Sequence, residues 1–221
     1  MTLNDFLVGA LLYLAAAVVS APIAARLGLG SVLGFLVAGA IIFSGSLLAA
    51  TVEINGVKLE DSADLRGAKL LLNGAGTRYK GPFKVYVAGL YLGKKAATLD
   101  EVVNQPGPKR MSVTMLRDID AAELGKLFTR GVQDNMAPGE MSKLVPGLIR
   151  MGQMFADQKK LPTGINFLID WQPGVGTVAT INGVVQGEPF KEPEFFKAMM
   201  SVWMGSVPAD FKLKDALLSV K

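Results

Sequence analysis

The chain lacks two side chains that commonly carry nucleophilic and metal chemistry. Its 221 residues include no cysteine and no histidine. Without cysteine there are no disulfides and no thiolate nucleophile. Without histidine, Ser-His-Asp and Cys-His catalysis, histidine-bound zinc and histidine-bound haem are excluded. The sequence also shows no metal-ligand spacing, and we expect no cofactor.

Charge of one sign is not concentrated anywhere in the chain. Lysine and arginine total 23, aspartate and glutamate total 19, and the sequence pI is about 9.2. The basic residues alternate with acidic ones rather than forming a stripe, which is typical of a solvated surface. We therefore expect no nucleic-acid partner.

Charge is almost absent from the first 50 residues, where only Asp5 and Arg26 are charged. Residues 6–25 and 27–50 are uncharged runs of 20 and 24 residues, each long enough to cross a membrane as a helix. An export signal is the alternative, but the acidic start and the length favour two spans. The expected division is a membrane anchor or signal-like segment over 1–50 and a domain over 51–221.

This charge pattern also predicts a compartment. If the two runs are paired spans, the positive-inside rule places Arg26 in the cytoplasm and Thr51 on the opposite side. Cleavage after Ala49 or Ala50 would deliver the domain to the same side. We therefore expect a periplasmic domain that is either membrane-anchored or exported. The alternative is one membrane helix rather than two, since a single uncleaved span with the N-terminus outside would leave the domain in the cytoplasm.

Residues 22–39, P-I-A-A-R-L-G-L-G-S-V-L-G-F-L-V-A-G, resemble the opening helices of bacterial glutathione-regulated potassium/proton antiporters. Two spans cannot enclose an ion path that is lined from several sides. The resemblance is therefore interpreted as a membrane anchor rather than as a transport function.

The domain after residue 50 has patterns of strands and helices. Asn55-Gly56 and Asn182-Gly183 each join two short β-branched runs, which predicts two type I′ hairpins within about six to eight mainly antiparallel strands. Helices are predicted near 120–134, 139–157, 194–204 and 210–220. Strands followed by packed helices indicate an α+β domain.

The stretch from 66 to 92 carries most of the functional argument. Residues 68–72 and 83–91 have strand patterns, and Asn73-Gly74-Ala75-Gly76 between them predicts a turn with positive φ. Arg78 and Tyr79 follow where they can reach a cleft. A guanidinium has a permanent charge and five fixed donors, which suit an anion. The alternative is a surface arginine paired with a carboxylate, an interaction that contributes little.

In this stretch the sequence resembles the chalcone isomerase fold family. Plant members carry a G-A-G-x-R turn and a K-x-x-x-x-G-x-Y-L strand, here residues 74–78 and 84–92. Exported bacterial members are more similar, in F-K-V-Y-V-A-G-L-Y-L, P-G-P-K-R and M-L-R-D-I. The resemblance covers roughly 51–221 and implies an open-faced, mainly antiparallel sheet packed by helices.

The resemblance implies a site whose chemistry is reduced. In the plant isomerases the turn arginine neutralises an oxygen anion while Thr, Tyr, Asn and Thr or Ser residues polarise a carbonyl. Arg78 matches, but the other positions fall on Tyr86 and near Leu124, Gly131 and Phe196, so most donors for an oxyanion are lost. The implied function is a non-catalytic binder of an apolar carboxylate or other hydrophobic small molecule, as some plant members bind fatty acids.

Two alternatives remain. The first is an intramolecular lyase or isomerase of the chalcone isomerase type with Arg78 and Tyr86 as catalytic residues, and a shifted alignment would add Thr129 or Asn135. The second is a scaffold with a protein partner. Arg117 and Asp118 are predicted to form a structural arginine-carboxylate pair.

The expected ligand-binding residues are Arg78, Tyr79, Tyr86 and Met115. The expected partners are a hydrophobic or amphiphilic small molecule and, through residues 6–50, a membrane. Many methionines indicate an adaptable apolar pocket, with simple core filling as the alternative. They are the methionines at positions 111, 115, 151, 154, 199, 200 and 204.

Overall fold

The structure of the protein is a computed structural model that describes residues 51–219. The predictions of membrane spans, of an export signal and of an antiporter-like segment concern residues 1–50 and lie outside the described residues. Within 51–219, no helix combines the length and the apolar character needed to cross a membrane.

Residues 51–219 form eleven strands and five helices. The strands are β1 (Thr51–Ile54), β2 (Val57–Glu60), β3 (Ser62–Leu65), β4 (Ala68–Lys80), β5 (Phe83–Leu92), β6 (Lys109–Met115), β7 (Ile119–Asp120), β8 (Lys160–Leu161), β9 (Asn166–Gln172), β10 (Gly176–Ile181) and β11 (Val184–Val185). The helices are α1 (Leu99–Asn104), α2 (Ala121–Gln133), α3 (Pro138–Asp157), α4 (Pro193–Met204) and α5 (Phe211–Leu217).

Seven of these strands form one curled, antiparallel sheet in the order β11-β10-β9-β6-β5-β4-β3. The β1-β2 hairpin and the short β7-β8 pair are separate. Helices α2, α3, α4 and α5 supply much of the core that covers one face of the large sheet. The mixed architecture with an antiparallel sheet and packed helices confirms the expected fold class for the described residues.

The hairpin predictions are confirmed. Both residues of Asn55-Gly56 and of Asn182-Gly183 have positive φ, as type I′ turns require (50° and 81°, 48° and 80°). A third turn of this kind, at Arg66-Gly67 with φ of 54° and 80°, joins β3 to β4. It was not predicted because arginine is not among the residues that favour positive φ.

The glycine turn predicted at 73–76 is wrong. Strand β4 continues from Ala68 to Lys80, and the chain turns at Gly81, where φ is 60°. Gly74 and Gly76 are needed for a different reason, which is the close approach of α5. A Cβ atom on Gly74 would lie 2.0 Å from the Ala216 carbonyl oxygen, and one on Gly76 would lie 2.8 Å from the Ala216 Cβ.

Asn73 is an extra residue in β4 that forms a β-bulge against β5. Its side chain is buried, and its Nδ2 donates to the Ala96 carbonyl at 2.9 Å and to the Leu217 carbonyl at 2.7 Å. Its Oδ1 accepts from the Ala96 N–H at 2.8 Å. Asn73 therefore fastens the last turn of α5 to the sheet.

Two charged side chains at the start of β6 are withdrawn from solvent, Lys109 fully and Arg110 in part. Lys109 is only 2% exposed, its Nζ donates to the Gly107 carbonyl at 3.1 Å, and burial lowers its pKa to about 8. Arg110 faces the other side of the sheet and binds both carboxylate oxygens of Asp170, each at 2.7 Å. Such two-point pairs are geometrically specific, so this one pins β6 to β9.

Candidate functional site

Arg78, Tyr86 and Met115 lie in one row across three adjacent strands. Arg78 of β4 pairs with Tyr86 of β5, and Tyr86 pairs with Met115 of β6. Residues directly opposite each other in neighbouring strands point to the same face. The Arg78 Cζ lies 5.6 Å from the centre of the Tyr86 ring. The sheet thus brings together three of the four predicted ligand-binding residues.

A second β-bulge shapes this row. Arg78 pairs with Tyr86 and the next residue, Tyr79, pairs with Lys84, so Val85 is the extra residue of β5. Val85 is buried and lines the same cavity as Arg78. Bulges bend a strand and re-aim its side chains. Here the bulge places consecutive residues of β5 beside one arginine.

Tyr79, the fourth predicted residue, lies at the edge of this arrangement. Its side chain is 42% exposed. Its backbone N–H donates to the Asp210 Oδ2 at 2.9 Å, and the same carboxylate caps the start of α5. Whether any of the four residues contacts a ligand stays a prediction.

The Arg78 side chain has a hydrogen-bond donor without a partner among residues 51–219. It is half-buried, and its Nε is buried without a hydrogen-bond partner within residues 51–219. It forms no ion pair with a carboxylate of the described residues, which argues against the surface-pair alternative. A buried donor without a partner costs about 1–3 kcal/mol, so an anion placed here would gain a strong interaction.

The ring of Tyr86 lies beside that guanidinium, and its hydroxyl is protonated. The residue is 3% exposed, and its oxygen accepts a hydrogen bond from the Trp203 Nε1–H at 2.8 Å. Burial raises the pKa of Tyr86 to about 12, although the charge of Arg78 opposes the rise. Because its oxygen accepts from Trp203, the hydroxyl retains its own hydrogen for donation.

An outer cavity of about 190 Å³ adjoins Arg78. Its walls combine charged side chains with apolar ones from β5, β7 and α2. They are Arg78, Lys80, Val85, Arg117, Asp118, Ile119, Asp120, Glu123, Leu124 and Leu127. The outer cavity is therefore a polar entrance with an apolar wall on the α2 side.

The predicted pairing of Arg117 with Asp118 is wrong. Asp118 instead forms an ion pair with the Lys160 Nζ at 2.7 Å and accepts from the Thr163 N–H at 2.8 Å. These contacts, led by Lys160, hold the pKa of Asp118 at about 2. The Arg117 Cζ lies 5.1 Å from the centre of the Phe83 ring. Neighbouring side chains at a strand end diverge, which separates the two charges.

An inner cavity of about 30 Å³ lies between the helices and the sheet. Its walls are almost wholly apolar and come from α2, α3, α4, β9 and β10. They are Phe128, Met151, Met154, Phe155, Phe167, Leu168, Ile169, Ala179, Thr180, Ile181 and Met199. Three of the methionines expected to form an adaptable pocket are here, whereas Met111, Met115, Met200 and Met204 fill the core elsewhere.

Aromatic rings connect Tyr86 to the inner cavity. Trp203, the partner of Tyr86, lies edge-on to Phe128 with ring centres 5.3 Å apart. Phe128 is 6.4 Å from Phe155, which lines the inner cavity with it. Leu124 of the outer cavity lies four residues before Phe128 on α2, a rise of about 6 Å. Leu124 of the outer cavity and Phe128 of the inner cavity are therefore about one helical turn apart on α2.

Apart from Tyr86, the positions that the resemblance matches to the polar residues of the plant isomerases provide no side-chain donors. Leu124 and Phe196 are buried apolar side chains. A Cβ atom on Gly131 would already lie 3.0 Å from the Val202 Cγ1, so a longer polar side chain would need α4 to move.

The two polar residues that a shifted alignment would supply are also engaged elsewhere. The Thr129 hydroxyl donates to the Gly125 carbonyl at 3.0 Å, inside α2. The Asn135 side chain bonds the Gly131 carbonyl and both backbone groups of Val207. Among the family positions considered, Arg78 alone retains its residue.

Sequence reasoning missed Trp203 and Phe128 as parts of this site. Trp203 is 117 residues from Tyr86, and only the packing of α4 on the sheet brings them together. The available signal was a tryptophan on an apolar helix, since a buried indole N–H usually finds a polar partner.

Comparisons with known proteins agree with this architecture. A family model described as chalcone isomerase-like matches residues 50–219. A search of curated proteins found no match. Among solved structures, a fatty-acid binding protein of Arabidopsis thaliana is similar, with a TM-score of 0.59 and 16% identity over 76% of this chain and 96% of that chain. At this identity the likeness concerns the fold.

Proposed function

The chain belongs to the chalcone isomerase-like family, and from this premise we propose that its domain binds an apolar carboxylate, such as a fatty acid, without converting it. The carrying observation is the half-buried guanidinium of Arg78, which has an unpartnered Nε and lies 5.6 Å, at its Cζ, from the centre of the Tyr86 ring. The similar plant structure is that of a fatty-acid binding protein, which supports this class of ligand.

Arg78 and Tyr86 are suited to hold the carboxylate group. A guanidinium binds a carboxylate with two parallel hydrogen bonds, and the fixed geometry of the fork selects that group. The Tyr86 hydroxyl stays protonated because burial raises its pKa to about 12, so it can donate to the same anion. Trp203 orients the hydroxyl from the side away from the ligand.

The apolar tail would extend along α2 from the outer cavity to the inner one. The inner cavity has a volume of about 30 Å³, which is about the volume that one molecule occupies in liquid water. Ligand pockets are larger, at about 300–1,000 Å³. A long tail must therefore displace side chains. Met151, Met154 and Met199 are suited to this because an unbranched thioether repacks easily.

The same geometry disfavours the isomerase alternative. Stabilising an oxyanion requires several donors aimed at the point where charge develops. At the family positions this chain offers Arg78 and the substituted Tyr86, with Leu124, Gly131 and Phe196 in place of the others. Binding needs only a head-group contact, which Arg78 would supply, and room for the tail, which displacement of the methionines of the inner cavity would provide.

Trp203 provides the assay because it contacts Tyr86 directly. In a Trp171→Phe background it is the remaining tryptophan, so its emission on titration with fatty acids reports binding. Arg78→Met keeps the length of the side chain but removes the charge. Hydrogen bonds to charged groups contribute about 1.5–3 kcal/mol, so we expect roughly 10- to 150-fold weaker binding.

Arg130→Met is the matched control, since Arg130 lies on the exposed side of α2 with 77% of its side chain accessible. Equal affinity of Arg78→Met and Arg130→Met would refute the carboxylate clamp. A parallel incubation with chalcones and related enones tests catalysis through loss of their conjugated absorbance. We expect no rate above buffer, and a rate that disappears in Arg78→Met would establish the isomerase instead.

We also propose that the domain works in the periplasm. The support is the charge pattern of Asp5, Arg26 and the two uncharged runs of residues 6–25 and 27–50. Protease added to spheroplasts should digest the domain while a cytosolic marker survives. Protection of the domain until the membrane is lysed would contradict a periplasmic location.

A further inference from the structure

Exposed aromatic side chains are gathered at the entrance beside Arg78. Among the exposed large hydrophobic residues of 51–219, the aromatic ones are Tyr79, Phe83 and Phe211, which are 42%, 59% and 65% exposed. The others are aliphatic and lie elsewhere on the chain. They are Val52, Leu71, Val145, Ile149, Val184, Val185 and Val207.

The three aromatic residues, here called the aromatic rim, lie on the segments next to Arg78, at the end of β4 and at the starts of β5 and α5. Tyr79 follows Arg78 in β4, and Phe83 of β5 pairs with Lys80, whose side chain lines the outer cavity. Phe211 follows Asp210, whose carboxylate accepts from the Tyr79 N–H at 2.9 Å. Three separate segments of the chain therefore bring an aromatic ring to the same end of the sheet.

Exposed cations accompany the aromatic rim. Lys84 donates to the neutral side chain of Asn55 at 2.6 Å, and Arg117 stacks on Phe83, so neither charge is neutralised by these contacts. Lys212 is exposed directly after Phe211. Lys80 has a long ion pair of 3.5 Å with Glu123, and both side chains are more than half exposed.

The acidic side chains of this region form hydrogen bonds or ion pairs within the domain. Asp118 bonds Lys160 and Thr163. Asp120 caps α2 by accepting from the Glu123 N–H, and Asp210 caps α5 while holding Tyr79. The cations near the aromatic rim that form no ion pair within 51–219, which are Arg78, Lys84, Arg117 and Lys212, therefore outnumber the two capping carboxylates, Asp120 and Asp210.

We propose that the aromatic rim and its lysines dock on the surface of an anionic lipid bilayer, with the entrance beside Arg78 facing the lipids. Aromatic rings accompanied by lysine and arginine are the composition of surfaces that lie in the membrane interface. Anionic headgroups attract such cations over about a Debye length. The role of this docking surface rests on the proposed function, because an apolar acid could pass from the docked bilayer to Arg78 without crossing water.

The absence of cysteine allows a direct test on the full chain. Phe83→Cys, Phe211→Cys and Val184→Cys each introduce one cysteine for an environment-sensitive fluorophore, and Val184 is an exposed residue of β11, the strand at the other edge of the sheet. Each labelled chain is reconstituted into phosphatidylcholine vesicles with and without phosphatidylglycerol. Quenching by spin-labelled lipid measures the contact of the label with the bilayer.

We expect labels at 83 and 211 to shift to shorter wavelength and to be quenched in the anionic vesicles, and the label at 184 to change little. High salt should reverse the effect. Equal behaviour at the three positions, or no dependence on phosphatidylglycerol, would overturn the proposal. The proposal would also be overturned if the labels at 83 and 211 shifted to shorter wavelength when another protein was added without vesicles. The aromatic rim would then be a protein-binding surface.

These experiments can refute the fatty-acid binding proposal and the membrane docking proposal independently of each other. Arg78→Met is expected to lose affinity for the fatty acid in the Trp203 titration while the labels at 83 and 211 still respond to anionic vesicles. Loss of the label response with intact fatty-acid affinity would refute the docking surface and leave the binding function unaffected.

Discussion

Replacing Gly74 with alanine is expected to separate α5 from β4. The new Cβ would lie 2.0 Å from the Ala216 carbonyl oxygen and 2.6 Å from the Leu217 carbonyl oxygen, whereas Cβ contacts below 3.0 Å essentially do not occur. Both neighbours are backbone atoms, so no side-chain rotation relieves the clash. The strand and the helix must move apart by about 1 Å, a shift that tightly packed interiors resist.

The magnitude follows from two losses. Overpacking of this kind costs about 1–3 kcal/mol. The displacement also pulls the Leu217 carbonyl from the buried Asn73 amide, now at 2.7 Å, and an unsatisfied buried donor costs about 1–3 kcal/mol more. We therefore expect Gly74→Ala to lower the free energy of unfolding by about 2–6 kcal/mol.

Urea unfolding followed by tryptophan fluorescence measures this change, since both tryptophans, Trp171 and Trp203, belong to the domain. Gly152→Ala is the matched control, because Gly152 lies inside α3 and no atom comes within 4 Å of the position that a Cβ would take there. Alanine at this position should stabilise the helix by up to about 1 kcal/mol. If Gly74→Ala is as stable as Gly152→Ala, the role assigned to Gly74 is wrong.

Two further predictions concern pH. Burial raises the pKa of Tyr86 from 10.0 to about 12, so its stabilising contribution is complete below pH 10 and is lost between pH 10 and 12. At pH 8 the Tyr86→Phe variant should be less stable than the parent, because it loses the Trp203 hydrogen bond. The difference in the free energy of unfolding between parent and variant, measured by urea titration, should narrow by about 2–3 kcal/mol above pH 10. A gap independent of pH would contradict burial of the hydroxyl. Burial lowers the pKa of Lys109 from 10.5 to about 8, so the folded state loses stability as the pH falls from 10.5 to 8. Because methionine carries no charge, Lys109→Met should raise the free energy of unfolding by up to about 3 kcal/mol at pH 7. The same variant should have little effect above pH 10.5. A destabilised Lys109→Met at pH 7 would show that the amine supplies a needed contact.

Local signals in the sequence were enough for the hairpins and for most helix positions. Asn55-Gly56 and Asn182-Gly183 predict their turns because both residues of a type I′ turn need positive φ. Asp120 predicts the start of α2 because its carboxylate accepts from the Glu123 N–H. Each of these features depends on atoms within a few residues.

Features that depend on distant atoms were not predictable in the same way. Gly74 and Gly76 resemble turn residues locally, and only the approach of α5, some 140 residues later, explains them. The bulges at Asn73 and Val85 shift the register of β4 against β5, so the pairing of Arg78 with Tyr86 cannot be obtained by counting residues from the turn. The family resemblance identified Arg78 but gave no information on Trp203.

The attachment of α5 to β4 also sets the order in which the domain can be completed during synthesis. Beyond Leu72, the outer edge of β4 has no strand partner among the described residues and is covered instead by α5 and the residues around it. Asn73 bonds Leu217 and Ser219 across 144 and 146 residues of sequence. The edge therefore stays uncovered until α5 has been made, and exposed strand edges readily pair with other chains. A nascent chain that stops short of α5 would carry an open edge next to Arg78, which makes α5 a safeguard against aggregation.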